Sequence, residues 1–196
     1  MNDRLLKDME FIVELDKMKS ILRQTSIIEE DRREDDAQHS WHISVMTMVL
    51  NEYANEEIDE KKVIKMLLIH DLVELYAGDT FCYDKKGNED KRDRELMAAD
   101  KIFGMLKEEK ALEFRALWDE FEEMKTPEAL FAASMDRLQP MLSNYHNGGG
   151  TWKKFGVDKE DIYKRIAPVK ESSDKLWQFV EAMIEDAYNR GLIENK

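Results

Sequence analysis

The stretch Met66-Leu67-Leu68-Ile69-His70-Asp71-Leu72-Val73-Glu74 brings three ionisable side chains up against an apolar run. From Val63 to Ile69 every position but Lys65 is apolar, which predicts a helix buried before its charges begin. A carboxylate desolvated there must shift its pKa, pair, or coordinate a metal, and the adjacent imidazole favours the metal reading. His70 and Glu74 lie four residues apart and share a helix face, while Asp71 is rotated by about 100°. One face thus offers a ligand and, a turn later, a base.

The 196 residues suffice to bury a sizeable core and read as a single helical domain spanning 1–196. Forty-three acidic residues against 30 basic ones give a net charge of −13, which argues against a nucleic acid polymer or an anionic membrane as partner. Any phosphate must therefore be met locally by metal or arginine. A lone Cys82, no signal-peptide pattern and no apolar run near the roughly 18 residues of a membrane span predict a soluble cytoplasmic protein. Eight glycines, three prolines and abundant Leu, Met, Ala, Glu and Lys indicate an all-α fold, and no useful alternating strand pattern is visible.

Helical periodicity predicts one amphipathic helix over residues 3–24, closing near Arg23. The charge run at 29–36 reads as a solvated loop. A second, deeply packed helix follows over 37–54, with His39 and His42 three apart at its start. Asp59 caps the central helix, which runs to Ala77 and stops at Gly78. A polar loop through Asn88 is a natural place for substrate contacts. Further helices are expected over 89–107, in a shorter piece around Leu112 to Phe121, and from the Thr126-Pro127 start to Tyr145. In that last one Ala129, Ala132, Ala133 and Asp136 share a small-residue face, so a neighbouring helix can approach the acid closely. The glycines at 148–150 form a turn, not a phosphate loop. Trp152 and Phe155 should pack on the body, Pro168 should interrupt, and Ser172 or Ser173 should begin a final helix ending at Gly191. The apolar Trp177, Phe179, Val180, Met183 and Ile184 of that helix suit either a homodimer surface or ordinary core.

His42 and His146 read as hydrogen-bonded structural residues. The combination of His39, His70, Asp71 and Asp136 is different, because each sits on or at the end of a strongly apolar helix where an unpaired polar group is costly. Two imidazoles and two carboxylates can occupy four positions around a divalent ion and leave others open, whereas closed structural zinc sites favour cysteine.

Three spaced motifs carry a resemblance. Arg32-x-Glu34-x-x-Ala37-x-His39-Ser40-Trp41-His42, His70-Asp71-x-x-Glu74-x-x-x-Gly78-Asp79 and Ser134-x-Asp136-Arg137-x-Gln139-Pro140 resemble the HD-domain metal-dependent phosphohydrolases. Within that family the chain is most similar to the small group that includes bacterial 5'-deoxynucleotidases. The resemblance implies a compact multi-helix HD bundle with His39, His70, Asp71 and Asp136 as metal ligands, Glu74 activating water, and Asp79 near sugar or phosphate. Arg23 matches an arginine that contacts the nucleotide. Gln38 stands where relatives usually carry Glu, and Thr80 to Tyr83 stand where the deoxynucleotidases tend to carry Pro. HD proteins with two metals need extra histidines between the His-Asp pair and the last Asp. Residues 72–135 contain none, which implies one divalent ion, Mn, Co, Fe, Zn, Ni or Mg.

The expected activity is hydrolysis of a nucleoside 5'-monophosphate, deoxynucleotides foremost, to nucleoside and phosphate. The rivals are an HD hydrolase of another nucleotide or small phosphate ester, and a non-catalytic metal- or nucleotide-binding helical protein. Glu74 beside the ligands speaks against the latter, since a purely structural ion needs no base.

Overall fold

The computed structural model describes residues 3–84 and 86–194 and is dominated by helices. In chain order these are α1 (Asp3–Leu15), α2 (Asp36–Leu50), α3 (Glu60–Ile69), α4 (Glu74–Ala77) and α5 (Lys91–Phe103). There follow α6 (Glu108–Glu123), α7 (Pro127–His146), α8 (Gly150–Phe155), α9 (Lys159–Ser172) and α10 (Asp174–Asn189). Two short strands, β1 (Leu22–Ser26) and β2 (Arg33–Asp35), pair antiparallel between α1 and α2.

The buried helix α7 organises the packing, with α2, α3, α6 and α9 against it. Ala129, Ala132 and Ala133 are essentially inaccessible, so the small face does admit close neighbours. Ile43, Met66, Leu67, Phe131 and Met135 belong to one apolar cluster, and Phe11, Ile69, Leu72, Ile102 and Trp118 to a second. The central segment crosses from one to the other: Met66 and Leu67 belong to the first and Ile69, Leu72 and Val73 to the second. His70 and Asp71 therefore sit at the seam.

Several sequence expectations need correction. The helix foreseen over 3–24 ends at Leu15, passes through a 3-10 turn at Asp16–Ser20, and gives way to β1, so Arg23 is on a strand. The charge run is an exposed turn only over residues 29–32. It contains β2, and Glu34 and Asp36 are buried. The Arg33 side chain donates to the Arg23 and Leu22 carbonyl oxygens, and Asp36 N bonds Ile21 O at 3.1 Å, so these elements are fixed by contacts remote in sequence. Helix α2 is not packed all round: Ile43 and Met46 are buried while Trp41, Val45, Met48 and Val49 are exposed. The piece around Leu112 is a full 16-residue helix. Phe155 packs its ring on Phe81 while leaving one side exposed, and Trp152 is buried as expected. Pro168 does not interrupt. It lies buried inside α9 between the core residues Ile166 and Val169, whose packing outweighs one lost backbone hydrogen bond. Ser173 caps α10, and that helix buries Val180, Met183 and Ile184 in the core, leaving Phe179 exposed.

Gln38 acquires a local role. Asp35 accepts from Gln38 N at 2.8 Å and Gln38 Oε1 accepts from Asp35 N at 3.3 Å, a capping box that opens α2 and whose Gln38 directly precedes His39. Arg32 Nη1 donates to the same Gln38 oxygen at 3.1 Å. Glu at this place would close the same box, so the substitution leaves the helix start intact. Asp35→Ala is expected to cost about 0.5–2 kcal/mol in urea denaturation. A loss within error of zero would mean that the sheet alone sets the start of α2.

Candidate metal and substrate site

The central helix changes geometry at the residues of interest. After Ile69 it tightens into a 3-10 turn, His70–Val73, before resuming as α4. Successive side chains in such a turn are about 120° apart, so the α-helical phase expected between His70, Asp71 and Glu74 is altered. All three are buried. His70 Nδ1 is fixed 2.9 Å from the Leu67 carbonyl oxygen, which makes it the donor and leaves Nε2 facing the site.

His39 on α2, His70 and Asp136 on α7 converge, each offering one donor atom within 4.8 Å of the others. His39 Nε2 lies 3.1 Å from Asp136 Oδ1, and His70 Nε2 lies 3.7 Å from the same oxygen. Behind it, Gln139 Oε1 lies 3.1 Å from His39 Nδ1, and Gln139 Nε2 donates to Glu34 Oε1 at 2.9 Å, so the His39 ring is held from both sides. Asp71 Oδ2 is 3.1 Å from His70 Nε2, but Asp71 also groups with Asp36 and Glu74, whose oxygens again fall within 4.8 Å of one another. Glu74 Oε2 and Asp36 Oδ2 are buried without hydrogen-bond partners.

Electrostatics follow from this crowding. Burial opposes a proton on His70, but Asp71 and Asp136 outweigh it and push the imidazole up to about 10. Burial and Arg23 also work against a proton on His39, yet Asp136 and Glu34 raise its pKa. Despite burial, His70 and Arg23 hold Asp71 below the usual carboxylate range, and His39 and His70 do the same for Asp136. Glu74 moves the other way, raised first by burial and then by Asp71 and Asp36. Burial with Asp71 lifts Asp36 to about 7. Protons on the imidazoles thus balance the carboxylates around His70 Nε2, which has no hydrogen-bond partner of acceptable geometry. A divalent cation fits that set of two imidazoles and buried carboxylates and would displace those protons.

The cluster opens into a cavity of about 200 Å³ lined by Arg23, His70, Asp71, Glu74, Asp79 and Asp136, among others. Arg23 is there, but its guanidinium is engaged: Nη1 donates to Asp71 Oδ2 at 2.7 Å and to Asp36 Oδ1 at 3.3 Å, and Nη2 is 3.9 Å from Asp136 Oδ1. Gly78, at φ +78°, turns the chain after α4 so that Asp79 to Tyr83 form part of the wall. Arg94 ties this loop down through Ala77 O at 2.6 Å, Gly87 O at 2.8 Å and Thr80 Oγ1 at 3.1 Å. Phe81 packs on Phe155 with centroids 4.5 Å apart. His42 stays outside the donor group, 3.4 Å from Gln139 Nε2, and His146 stacks edge-on against Tyr145.

Sequence reading overlooked Asp36, whose position three residues before His39 was a usable signal, and the roles of Glu34 and Gln139 behind His39. It also gave no place to Arg137 or to Arg165, which donates from Nη2 to Asp136 Oδ2 at 3.3 Å. Arg137 is pulled down to about 10 by burial and by Arg165.

Comparison with known proteins places this geometry. A 5'-deoxynucleotidase HDDC2 from Dictyostelium discoideum is 36% identical over 112 residues, 55% of this chain and 59% of that protein. The human 5'-deoxynucleotidase HDDC2 is 29% identical over 111 residues, 57% of this chain and 53% of its own length. The matched region is thus little more than half of these curated relatives. The crystal structure of a predicted metal-dependent phosphohydrolase from Magnetospirillum magnetotacticum superposes with a TM-score of 0.94 at 45% identity, covering 98% of this chain and 96% of that one. The HD domain family matches residues 15–177, a span that holds the His39, His70–Asp71 and Asp136 motifs, and the chain belongs to that family.

Proposed function

We propose that this protein is a metal-dependent phosphomonoesterase that hydrolyses nucleoside 5'-monophosphates, deoxynucleotides foremost, to nucleoside and phosphate. The observation that carries the proposal is the buried His39–His70–Asp136 group, with Asp71 at its edge, opening into a cavity on the side where Glu74 lies. His39, His70, Asp71 and Asp136 would hold one divalent ion, whose identity among Mn, Co, Fe, Zn, Ni and Mg this donor set leaves open. When bound, such an ion supplies charge neutralisation at phosphorus and acidifies water.

The chain's own residues divide the remaining work. Glu74 accepts the proton of the attacking water, a role its place in the cavity wall beside the proposed ligands supports. Its partnerless Oε2 is the atom available for the task. Arg23 holds Asp71 and Asp136 in place and offsets their mutual repulsion. Asp79, in the cavity wall after Gly78, is assigned to the sugar hydroxyls. The packed Thr80 to Tyr83 wall faces the leaving nucleoside. The names of the HDDC2 relatives support a deoxynucleotide as the substrate.

Among the described residues no helix is long and apolar enough to cross a membrane. We place the protein in the cytoplasm, without a nucleic acid polymer or membrane as partner. Of the last-helix residues that suited a homodimer surface, Val180, Met183 and Ile184 are buried in the core and Phe179 stays exposed. Light scattering at micromolar concentration is expected to give a dimer, and a monomer removes that reading.

The mechanism is tested at two residues. Glu74→Gln is expected to retain its metal in elemental analysis while kcat on deoxynucleoside monophosphates falls about 10²- to 10⁴-fold. Asp136→Ala is expected to lose the ion. A Glu74 variant that loses metal makes Glu74 a ligand, and one that turns over at the parent rate assigns the water proton to another group.

A further inference from the structure

A net charge of −13 and a carboxylate-rich cavity oppose the entry of any anion unless a cation there is free to receive it. Among the described residues the cationic side chains of the wall are Arg23, Lys91, Arg137 and Arg165. Three are engaged. Arg23 serves Asp71, Asp36 and Asp136; Lys91 pairs with Glu95 at 3.3 Å; Arg165 bonds Asp136.

Arg137 is the exception. Its Nη2 is aimed at the Met124 sulfur, 3.1 Å away, its Nε is buried without a hydrogen-bond partner, and no carboxylate forms an ion pair with it among the described residues. A thioether is a weak acceptor, and a half-buried guanidinium whose Nε is shut off from water without a partner is an unfavourable arrangement for a protein at rest. Its location gives the arrangement a purpose. Arg137 follows Asp136 on α7, Arg165 reaches the same carboxylate from α9, and these helices pack directly together. Two guanidiniums thus stand in the lining of one cavity, beside the proposed metal ligands.

We propose that Arg137, with Arg165 beside it, forms an oxyanion subsite on the α7–α9 wall of the cavity, and that the phosphoryl oxygens of the substrate are its ligand. The subsite rests on reading the cavity as a phosphate-ester site, and adds the group that holds the anion. Arg23, surrounded by three carboxylates, is then a positioning residue. The planar forks of paired arginines suit a tetrahedral oxyanion, and binding it supplies the partner that Arg137 lacks.

The test is thermal unfolding of the manganese-loaded protein during titration with inorganic phosphate. The parent Tm should rise with phosphate. Arg137→Met keeps the packing of the stem and removes the charge, so without phosphate its Tm should equal or exceed that of the parent. Its phosphate response should need about 10- to 100-fold more ligand. Arg137→Lys should fall between the two, since it keeps the charge and loses the fork. In turnover KM should rise by a similar factor, with a smaller change in kcat.

A Met variant that fails to fold, or unfolds earlier than the parent without phosphate, makes Arg137 structural and overturns the proposal. Phosphate affinity equal to the parent's, or a parent indifferent to phosphate, also overturns it. The two readings separate cleanly. If phosphate stabilises the parent through Arg137 while no phosphomonoester is turned over, the subsite stands and the hydrolase reading falls. If nucleotides are hydrolysed and the Met variant binds phosphate like the parent, only the subsite falls.

Discussion

The constraint on which this structure depends is the burial of Asp136. One of its oxygens faces His39 Nε2, His70 Nε2 and Arg23 Nη2, and the other accepts from Arg165. A carboxylate so far from water is tolerable only with several compensating groups, and these come from α2, the turn after α3, β1 and α9. The alanine face of α7 lets those elements approach closely enough to supply them. Helix packing and site chemistry are here one problem: moving any of the four elements leaves a buried charge unmatched.

The 3-10 turn and the two-stranded sheet are the local devices that meet this constraint. By tightening at His70 the central segment passes from one apolar cluster to the other, anchors the imidazole on the Leu67 carbonyl, and turns Nε2 toward Asp136. The sheet converts a highly charged stretch into a rigid connection. It carries Arg23 to the carboxylates and buries Glu34 and Asp36 where a flexible loop would have left them in water. The first half of the charge run, residues 29–32, is a solvated turn, and its second half enters the ionic interior through Glu34 and Asp36.

The legible parts of the sequence were those governed by local rules. Apolar periodicity, the Asp59, Thr126 and Ser173 caps and the stop at Gly78 located most helices, and the pairing of charge with apolar helix marked His39, His70, Asp71 and Asp136 for the site. The strands stayed hidden because five and three residues hold too little periodicity to register, and because their pairing is fixed by contacts such as Arg33 with the β1 carbonyls. Helix α2 was overread because a helix apolar around most of its circumference can still bury only one side. Pro168 was overread for the opposite reason, since tertiary packing outweighed a local breaker. Arg137 stands in the third motif without a role of its own, and its lack of a carboxylate partner becomes visible only in three dimensions.

The carboxylates crowded around His39 and His70 raise the pKa of both imidazoles, and a divalent ion bound there would compete with those protons. Metal binding should therefore expel protons, a consequence of the geometry that activity assays do not read. Calorimetric titration of the chelator-treated protein with Mn²⁺ at about pH 6, repeated in buffers of different ionisation enthalpy, counts them. One ion is expected to bind per chain with net release of protons, and both signals should be lost in Asp136→Ala. Binding without proton release, or binding undiminished by Asp136→Ala, would contradict this expectation.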